Sequence, residues 1–292
     1  QRGVRVTVAK TLSTYGSLVK FSHTVFGLPF ALAAVLLAAP FADITVEKVV
    51  LIVVCIACAR TAAMGFNRLV DRDIDAKNPR TQDRELPKGV LTPNAVRLLV
   101  FVSCSLFVLG AARLGRLPLL LSLPTLGLAL GYSYAKRFTA LCHVILGAAV
   151  ALAPGGAWIA LGAKVTLAPW LLVIGVAAWV AGFDVLYSLQ DRGFDRAEQL
   201  HSIPVRLGVR GALVASAALH VGTVACFVGV GVLLGRGGMY MVGVAIIAAL
   251  LVVEHAMVRP NDLSKLNRAF FDLNGYVSVA FLLCVAADHW LS

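Results

Sequence analysis

Charged residues are scarce in this sequence. Asp, Glu, Lys and Arg make up 14% of its 292 residues, while 59% are hydrophobic; soluble globular domains carry about 25% charged residues. A chain this apolar has too few polar side chains to cover a surface that faces water, which excludes a soluble domain. Acidic residues are fewer than basic ones, with 15 Asp and Glu against 26 Lys and Arg.

Cysteine chemistry has little support either. The six cysteines lie mostly inside apolar runs, and the single C-x-x-C, Cys55 and Cys58, falls in the middle of a predicted helix. It has no second pair and no nearby histidine, which a zinc or redox motif would need. We interpret these cysteines as small buried hydrophobic residues. The sequence also shows no Ser-His or Cys-His arrangement that would supply a protein nucleophile.

Long apolar runs are what the chain has instead. A membrane-spanning helix needs about 20 predominantly apolar residues. Nine stretches meet this description, and Pro29, Pro124 and Pro154 interrupt three of them, which neighbouring helices can tolerate. The predicted spans are residues 21–41, 49–69, 95–112, 117–134, 141–162, 168–188, 211–234, 238–257 and 271–290. We predict one polytopic, all-α membrane domain over residues 1–292.

The basic residues predict the orientation of these spans, because Lys and Arg accumulate in cytoplasmic loops. Nineteen of the 26 lie on one side of the predicted bundle, in the N-terminal segment and in loops at about 70–94, 135–140, 189–210 and 258–270. Five lie on the other side, and Arg60 and Arg97 fall inside helices. The N-terminus and the long polar loops are therefore predicted to be cytoplasmic.

Two clusters of acidic and polar residues follow two of the apolar runs. Asn67, Asp71 and Asp75 are spaced so that a continuing helix would align them on one face. A second cluster with similar spacing ends the sixth span, and both clusters lie on the predicted cytoplasmic side. Its members are Asp184, Tyr187, Asp191 and Asp195. The repetition suggests a bundle of two related halves.

Carboxylates spaced in this way repel one another and are costly near lipid, so something must compensate them. Mg²⁺ takes a few carboxylates, keeps several waters and completes its shell with phosphate oxygens. Bases that a diphosphate would also need are interleaved with the first cluster, namely Arg72, Lys77, Arg80 and Arg84. The alternative interpretation is a solvated loop whose charges neutralise one another, and it is the weaker one because the cluster occurs twice.

Arg60 lies seven residues before Asn67, about two helical turns, on the same face and deeper in the membrane. A charge at that depth is costly and suggests a functional site, such as an anchor for a carboxylate of the acceptor. The alternatives are a side chain that reaches the interface or pairs with a nearby acid. Glu254, His255, Asp272 and Asn274 flank the last cytoplasmic connection and are candidates for a cap over the site.

These residues together resemble the UbiA superfamily of intramembrane aromatic prenyltransferases. The resemblance covers nearly the whole chain. It is carried by R-x6-N-x3-D-x3-D from Arg60 to Asp75, RTQDRELPKG, YSYAKRFT at 132–139, D-x2-Y-x3-D-x3-D from Asp184 to Asp195, and SIPVRLG. The branch it is most similar to is that of 4-hydroxybenzoate polyprenyltransferases, with enzymes that prenylate a dihydroxynaphthoate as the alternative within it. Many members have Asn-Asp where this chain has Asn67-Arg68, which puts local charge and acceptor choice in question.

The resemblance implies a magnesium-dependent transfer of a polyprenyl group to an aromatic ring carbon, in ubiquinone or menaquinone biosynthesis. Asp71, Asp75, Asp191 and Asp195, with Asn67, would hold Mg²⁺. Residues implied for substrate binding are Arg60, Asn67, Arg72, Arg80, Arg84, Lys136, Asp184 and Tyr187. Arg137 is left out because adjacent helical residues diverge by about 100°. The implied partners are the polyprenyl diphosphate, the acceptor and the lipid bilayer of a bacterial inner membrane, with no nucleic acid and no obligate protein partner.

Two alternatives stay open at this point. The first concerns the acceptor: 1,4-dihydroxy-6-naphthoate is the alternative to 4-hydroxybenzoate, because the choice depends on the shape of the pocket. A secondary transporter, a different class of protein, also has related halves, broken helices and charges in the membrane. Its charged residues should lie near the middle of the bilayer, whereas both clusters here are predicted at one membrane face.

Overall fold

The computed structural model describes residues 14–18, 24–258, 266 and 272–291, and in these ranges all regular structure is helical. A short helical stretch at 14–18 precedes eleven α-helices. In chain order they are α1 (Thr24–Ala38), α2 (Val46–Val70), α3 (Arg72–Lys77), α4 (Pro93–Leu114), α5 (Arg116–Ala135), α6 (Cys142–Ala160), α7 (Leu167–Tyr187), α8 (Arg192–Ala197), α9 (Ile203–Leu233), α10 (Gly238–Met257) and α11 (Asn274–Leu291). Short 3-10 turns cover Ala39–Phe41 and Ser188–Asp191.

Each of the nine predicted spans overlaps one of the long helices, α1, α2, α4, α5, α6, α7, α9, α10 or α11. Within the described residues, seven helices are long and apolar enough to cross a membrane, while the apolar helical segment Gly27–Phe41 is shorter and α11 is not among the seven. The all-α membrane class is therefore confirmed, and the count of nine spans is not. Seven predicted cytoplasmic bases lie outside the described residues: Arg2, Arg5, Lys10, Lys20, Arg259, Lys265 and Arg268.

The bundle is organised around α7, which packs against both α6 and α9. A cluster of aromatic side chains joins α1, α7, α9 and α11: the Phe30 ring centroid lies 5.0 Å from that of Trp179, and Phe227 stacks on Phe281 at 4.8 Å. Large apolar side chains such as Phe101 and Leu123, both 69% exposed, cover the outside of the bundle. That distribution suits a lipid surround and not water.

The first acidic cluster does not lie on one continuous helix. α2 ends at Val70, and Asp71 leaves the helical conformation with φ −93° and ψ 5° before α3 begins at Arg72. The helix is therefore not continuous, although the backbone N–H of Asp71 still donates to the Asn67 carbonyl at 2.9 Å and that of Asp75 to the Asp71 carbonyl at 2.7 Å, so the spacing of one helical turn is kept. A second break lies within α9 at Gly208, whose φ of 72° favours glycine and separates the first helical turn from the long span.

Candidate active site

The first acidic cluster is built on the end of α2 and on α3. Asn67 Nδ2 donates to Asp71 Oδ2 at 2.8 Å, across one helical turn. Asp75 is buried, and Arg84 Nη1 lies 2.7 Å from both of its carboxylate oxygens. The Thr81 hydroxyl donates to the backbone carbonyl of Asp75 at 3.1 Å, which holds the following loop against α3. Asp75 is thus paired with a base nine residues further along the chain.

The second cluster continues α7 through the 3-10 turn into α8. Arg80 donates two hydrogen bonds to Asp191, from Nε to Oδ1 at 2.9 Å and from Nη2 to Oδ2 at 2.5 Å. Asn78 Nδ2 donates to the same Oδ1 at 3.2 Å. The Arg80 guanidinium also lies 5.4 Å from the ring centroid of Tyr187 and donates to its hydroxyl at 3.3 Å. The loop after α3 therefore joins the two clusters into one site.

The turn between α5 and α6 contributes two further bases. Lys136 Nζ lies 2.6 Å from Oδ1 of the fully buried Asp195, and Arg137 Nη2 lies 3.2 Å from Asp71 Oδ1. The Lys136 charge also acts on Asp71 and Asp191, so it lies between the two clusters. The expectation that only one of the two bases faces the site is wrong. α5 ends at Ala135, so the helical divergence of adjacent side chains does not apply to them.

Burial has the largest influence on the Asp71 carboxyl and raises its pKa. The hydrogen bond from Arg137 opposes this rise, and the negative charge of Asp75 adds to it. For Arg80, burial lowers the pKa, but the hydrogen bond and the charge of Asp191 outweigh it, so that the pKa of the guanidinium is raised. A cation among these carboxylates would favour their ionised forms.

A cavity of about 510 Å³ lies beside the acids, between α1, α2, α4, α5, α6 and α7. Its walls are almost entirely apolar, and Arg60 and Tyr132 are among its few polar lining residues. Tyr132 lies within electrostatic reach of Arg60, Asp71 and Asp184, so the cavity begins next to the acidic clusters. The Nε of Arg60 is buried and has no hydrogen-bond partner among the described residues.

The UbiA prenyltransferase family matches residues 27–282 of this chain. The chain belongs to this family, and it is a prenyltransferase. It is 30% identical over 231 residues to the 4-hydroxybenzoate octaprenyltransferase of Salmonella paratyphi C, covering 79% of each chain. It is 31% identical over 232 residues to the enzyme of the same name from Chromohalobacter salexigens, covering 79% of this chain and 77% of that one.

Solved structures of UbiA homologues have the same fold as this prenyltransferase. An apo homologue from Aeropyrum pernix K1 superposes with a TM-score of 0.84 at 35% identity, covering 91% of this chain and 98% of that one. A homologue from Archaeoglobus fulgidus bound to GPP and Mg²⁺ has a TM-score of 0.72 at 20% identity, covering 94% and 99%. The second likeness is one of fold.

The structure brings most of the predicted site residues of this UbiA protein together, but not Arg72. Its guanidinium pairs with Asp73 at 2.9 Å on the exposed face of α3. Arg72 directly follows the break at Asp71, and its side chain is 47% exposed. Lys77, the fourth interleaved base, pairs at 2.7 Å with Glu198 and so links the loops that follow the two clusters.

Sequence reasoning missed His143, which lies in the apolar run of α6 and holds Asp184. The backbone N–H of Ile203 donates to His143 Nε2 at 3.3 Å, which assigns the ring proton to Nδ1. Nδ1 then donates to Asp184 Oδ2 at 2.7 Å. Asn78 and Arg137 were also missed as site residues. A polar residue at the start of an apolar helix was the available signal for His143, but its partner is 41 positions away.

Proposed function

We propose that this prenyltransferase transfers a polyprenyl group, with Mg²⁺, from a polyprenyl diphosphate to a ring carbon of a small aromatic acid such as 4-hydroxybenzoate. The reaction would serve respiratory quinone synthesis. The observation that carries the proposal is the convergence of four carboxylates, two where α2 meets α3 and two where α7 leads into α8, with four bases beside an apolar cavity. The names of the bacterial relatives support the acceptor, and the A. fulgidus homologue bound to GPP and Mg²⁺ supports the donor and the metal.

The donor set fits Mg²⁺, which prefers carboxylate and amide oxygens. Asp71, Asp75, Asp191 and Asp195 would hold the ion, with Asn67 beside them, and the ion would act as a Lewis acid on the diphosphate oxygens. In the structure each of the four acids lies against one base, so the pairs are close to neutral together. Such a site accepts a divalent cation and an anionic diphosphate together more readily than either alone.

The bases would hold the leaving group. Arg80, Arg84 and Lys136 carry N–H donors that can turn from carboxylate to phosphate oxygens, with Asp184 and Tyr187 as polar supports. The allylic C–O bond breaks and its electron pair leaves with the diphosphate. The electron-rich ring carbon of the acceptor then forms a C–C bond with the allylic carbon, and the ring loses its proton. Preorganised charge lowers the barrier because it stabilises the departing diphosphate.

The cavity would take the isoprenoid tail. Burial of each CH₂ contributes about 0.8 kcal/mol, so a long tail partitions into apolar surroundings. The cavity of about 510 Å³ lies among six helices and offers almost no polar groups along its walls. The bilayer would be both the solvent of the enzyme and the reservoir of its donor.

Arg60 is the candidate for recognition of the acceptor. Its Nε is buried without a partner among the described residues, and it lines the cavity near Tyr132. An acceptor carboxylate would provide the missing partner and place the ring next to the diphosphate. Both 4-hydroxybenzoate and 1,4-dihydroxy-6-naphthoate carry such a carboxylate, so the naphthoate is the second candidate.

We further propose that the site lies at the cytoplasmic face of a bacterial inner membrane. The excess of Lys and Arg in the loops on the acidic side supports this orientation. The acids lie where α2 and α7 end and not midway along them, which disfavours a transporter site near the middle of the bilayer.

The test is a prenylation assay on membranes containing the full chain, with a long polyprenyl diphosphate, Mg²⁺ and each acceptor in turn. Product is detected by mass, and EDTA serves as the metal-free control. Asp191→Asn should reduce turnover by about 100-fold or more, since the Lewis acid contributes several kcal/mol. Asp73→Asn is the matched control because Asp73 is an exposed acid two residues from Asp71 that pairs only with Arg72 among the described residues.

Product from 4-hydroxybenzoate supports the proposal as stated, and product from the naphthoate alone replaces the acceptor. Diphosphate release that is equal with and without EDTA, or equal in wild type and Asp191→Asn, would refute the metal assignment.

A further inference from the structure

A further polar cluster, separate from the two acidic clusters of the active site, lies between α9 and α10. His220 on α9 and Glu254 on α10 are 3% and 1% exposed, and His255 follows Glu254. One ligand-type atom from each of the three lies within 4.8 Å of the other two. His220 Nδ1 is 3.8 Å from Glu254 Oε2, and the two imidazole rings meet edge to face with centroids 5.0 Å apart.

The orientation of each side chain is fixed by a contact on its far side. His220 Nε2 lies 3.3 Å from the backbone carbonyl of Trp179, and His255 Nδ1 lies 2.9 Å from that of Leu251. A carbonyl only accepts hydrogen bonds, so these two nitrogens carry the ring protons. Consequently His220 Nδ1 and His255 Nε2 present lone pairs to the space between the rings.

The Glu254 carboxylate is also oriented by a contact on its far side. Asn274 Nδ2 donates to Glu254 Oε1 at 2.7 Å, and the indole N–H of Trp179 donates to Asn274 Oδ1 at 2.9 Å. This leaves Glu254 Oε2 pointing at the imidazoles. Glu254 and Asn274 were predicted to help form a cap over the active site. In the structure they instead point into the bundle, toward Trp179 on α7 and His220 on α9.

Three acceptor atoms therefore converge without a donor. His220 Nδ1, His255 Nε2 and Glu254 Oε2 are buried and have no hydrogen-bond partner among the described residues. Each buried unsatisfied group is costly, and an unpaired carboxylate more so. A proton on Glu254 does not resolve this, because 3.8 Å is too long for a hydrogen bond to His220 and His255 would still have no donor. A cation resolves all three at once.

We infer that His220 Nδ1, His255 Nε2 and Glu254 Oε2 form a binding site for Zn²⁺. Two imidazoles and one carboxylate are a common zinc ligand set, and imidazole nitrogen distinguishes it from the all-oxygen set proposed for Mg²⁺. Ligands about 2 Å from a tetrahedral ion are about 3.3 Å apart, so small side-chain movements close the site. The far-side hydrogen bonds are those that orient ligands around bound metals. The ion would join α9 to α10.

The experiment measures metal content in the full chain, purified in detergent through a tag that contains no histidine. Mg²⁺ is kept in excess throughout, so that the acidic site stays supplied. We expect about one Zn²⁺ per chain by mass spectrometry, removal of the ion by 1,10-phenanthroline, and a visible absorption band when Co²⁺ is added back.

Glu254→Gln keeps the shape of the side chain and removes the anionic ligand, and His255→Gln removes one imidazole. Both should reduce zinc to well below one equivalent, whereas His289→Gln, a histidine near the end of α11, should leave it unchanged. Asn274→Ala should weaken Zn²⁺ binding by about 10- to 100-fold, because it removes only the support of a ligand.

The inference is overturned if the wild-type chain contains no zinc and binds neither Zn²⁺ nor Co²⁺ after treatment with the chelator. It is equally overturned if both ligand variants retain wild-type zinc. Neither result depends on prenyl transfer, so the proposed function stands or fails separately.

Discussion

Arg80 links the second acidic cluster to the proposed diphosphate site, and replacing it with glutamine tests both roles. In the structure its two hydrogen bonds neutralise Asp191, whose side chain is only 10% exposed. In Arg80→Gln the Asp191 carboxylate would keep the hydrogen bond from the amide of Asn78 and the more distant charge of Lys136. Breaking a buried ion pair costs about 3–5 kcal/mol, and the 32% exposure of the Arg80 side chain lowers our expectation to about 2 kcal/mol.

A loss of that size should lower the melting temperature in Mg²⁺-free detergent solution by roughly 5 °C. Saturating Mg²⁺ should restore much of the lost melting temperature, because the ion supplies the positive charge that Arg80 no longer places at Asp191. At saturating Mg²⁺, kcat/KM for the polyprenyl diphosphate should still fall by about 100-fold, the usual effect of removing one donor to a developing negative charge. The kcat/KM of Arg80→Lys should lie between those of the wild type and Arg80→Gln, since lysine keeps the positive charge and loses the paired hydrogen-bond geometry of arginine.

Arg72→Gln is the matched control, because the structure places Arg72 on exposed Asp73. We expect less than about a twofold change in kcat/KM, as for other exposed pairs. Equal losses for Arg72→Gln and Arg80→Gln would refute the geometric distinction between the two arginines. A stability loss that Mg²⁺ does not relieve would refute the placement of the metal at Asp191.

Three further predictions follow from the contacts of individual residues. Arg60→Leu should raise the KM for the acceptor by about tenfold or more with little change in that for the donor, measured by steady-state kinetics, because it removes the proposed carboxylate partner. Gly147→Ala should destabilise the protein by more than about 1 kcal/mol in thermal unfolding, since its methyl group would overlap a backbone carbonyl of α7, whereas Gly156→Ala, which has open space, should not. His143→Gln should lower kcat while leaving the melting temperature within a few degrees, because Asp184 loses a charge-assisted partner; an unchanged kcat would show that Asp184 needs no positioning.

The fold was largely predictable because its dominant signal is local. Runs of apolar residues about 20 long locate the helices, and the predicted spans overlap the observed ones closely, as 95–112 does with α4. The acidic clusters were equally visible, since repeated spacing is a property of neighbouring residues. Family membership confirms the class of enzyme, while the role of each acid stays a prediction.

The pairing of acids with bases was not predictable from spacing. Arg137 contacts Asp71 across 66 positions and Arg80 contacts Asp191 across 111, distances at which a single sequence carries no contact information. Arg72 was favoured for its proximity in the chain to Asp71, and proximity misled because Arg72, directly after the break at Asp71, pairs with the exposed Asp73 instead. The break itself has no strong signal, as neither residue is Gly or Pro.

The acidic site and the cluster around Glu254 differ in how their buried carboxylates are compensated. The acids at the ends of α2 and α7 each lie against a base, so the site is balanced without a ligand and gains from one that brings both signs of charge. Glu254 is as deeply buried as Asp195, but among the described residues it has no Lys or Arg beside it, only two imidazoles and an amide. A carboxylate so placed needs a proton or a cation. Because the ring protons of His220 and His255 point away from the Glu254 carboxylate, the arrangement favours a cation. The bundle would then have two kinds of metal site: one with oxygen ligands where α2 and α7 end, and one with two imidazole ligands between α9 and α10.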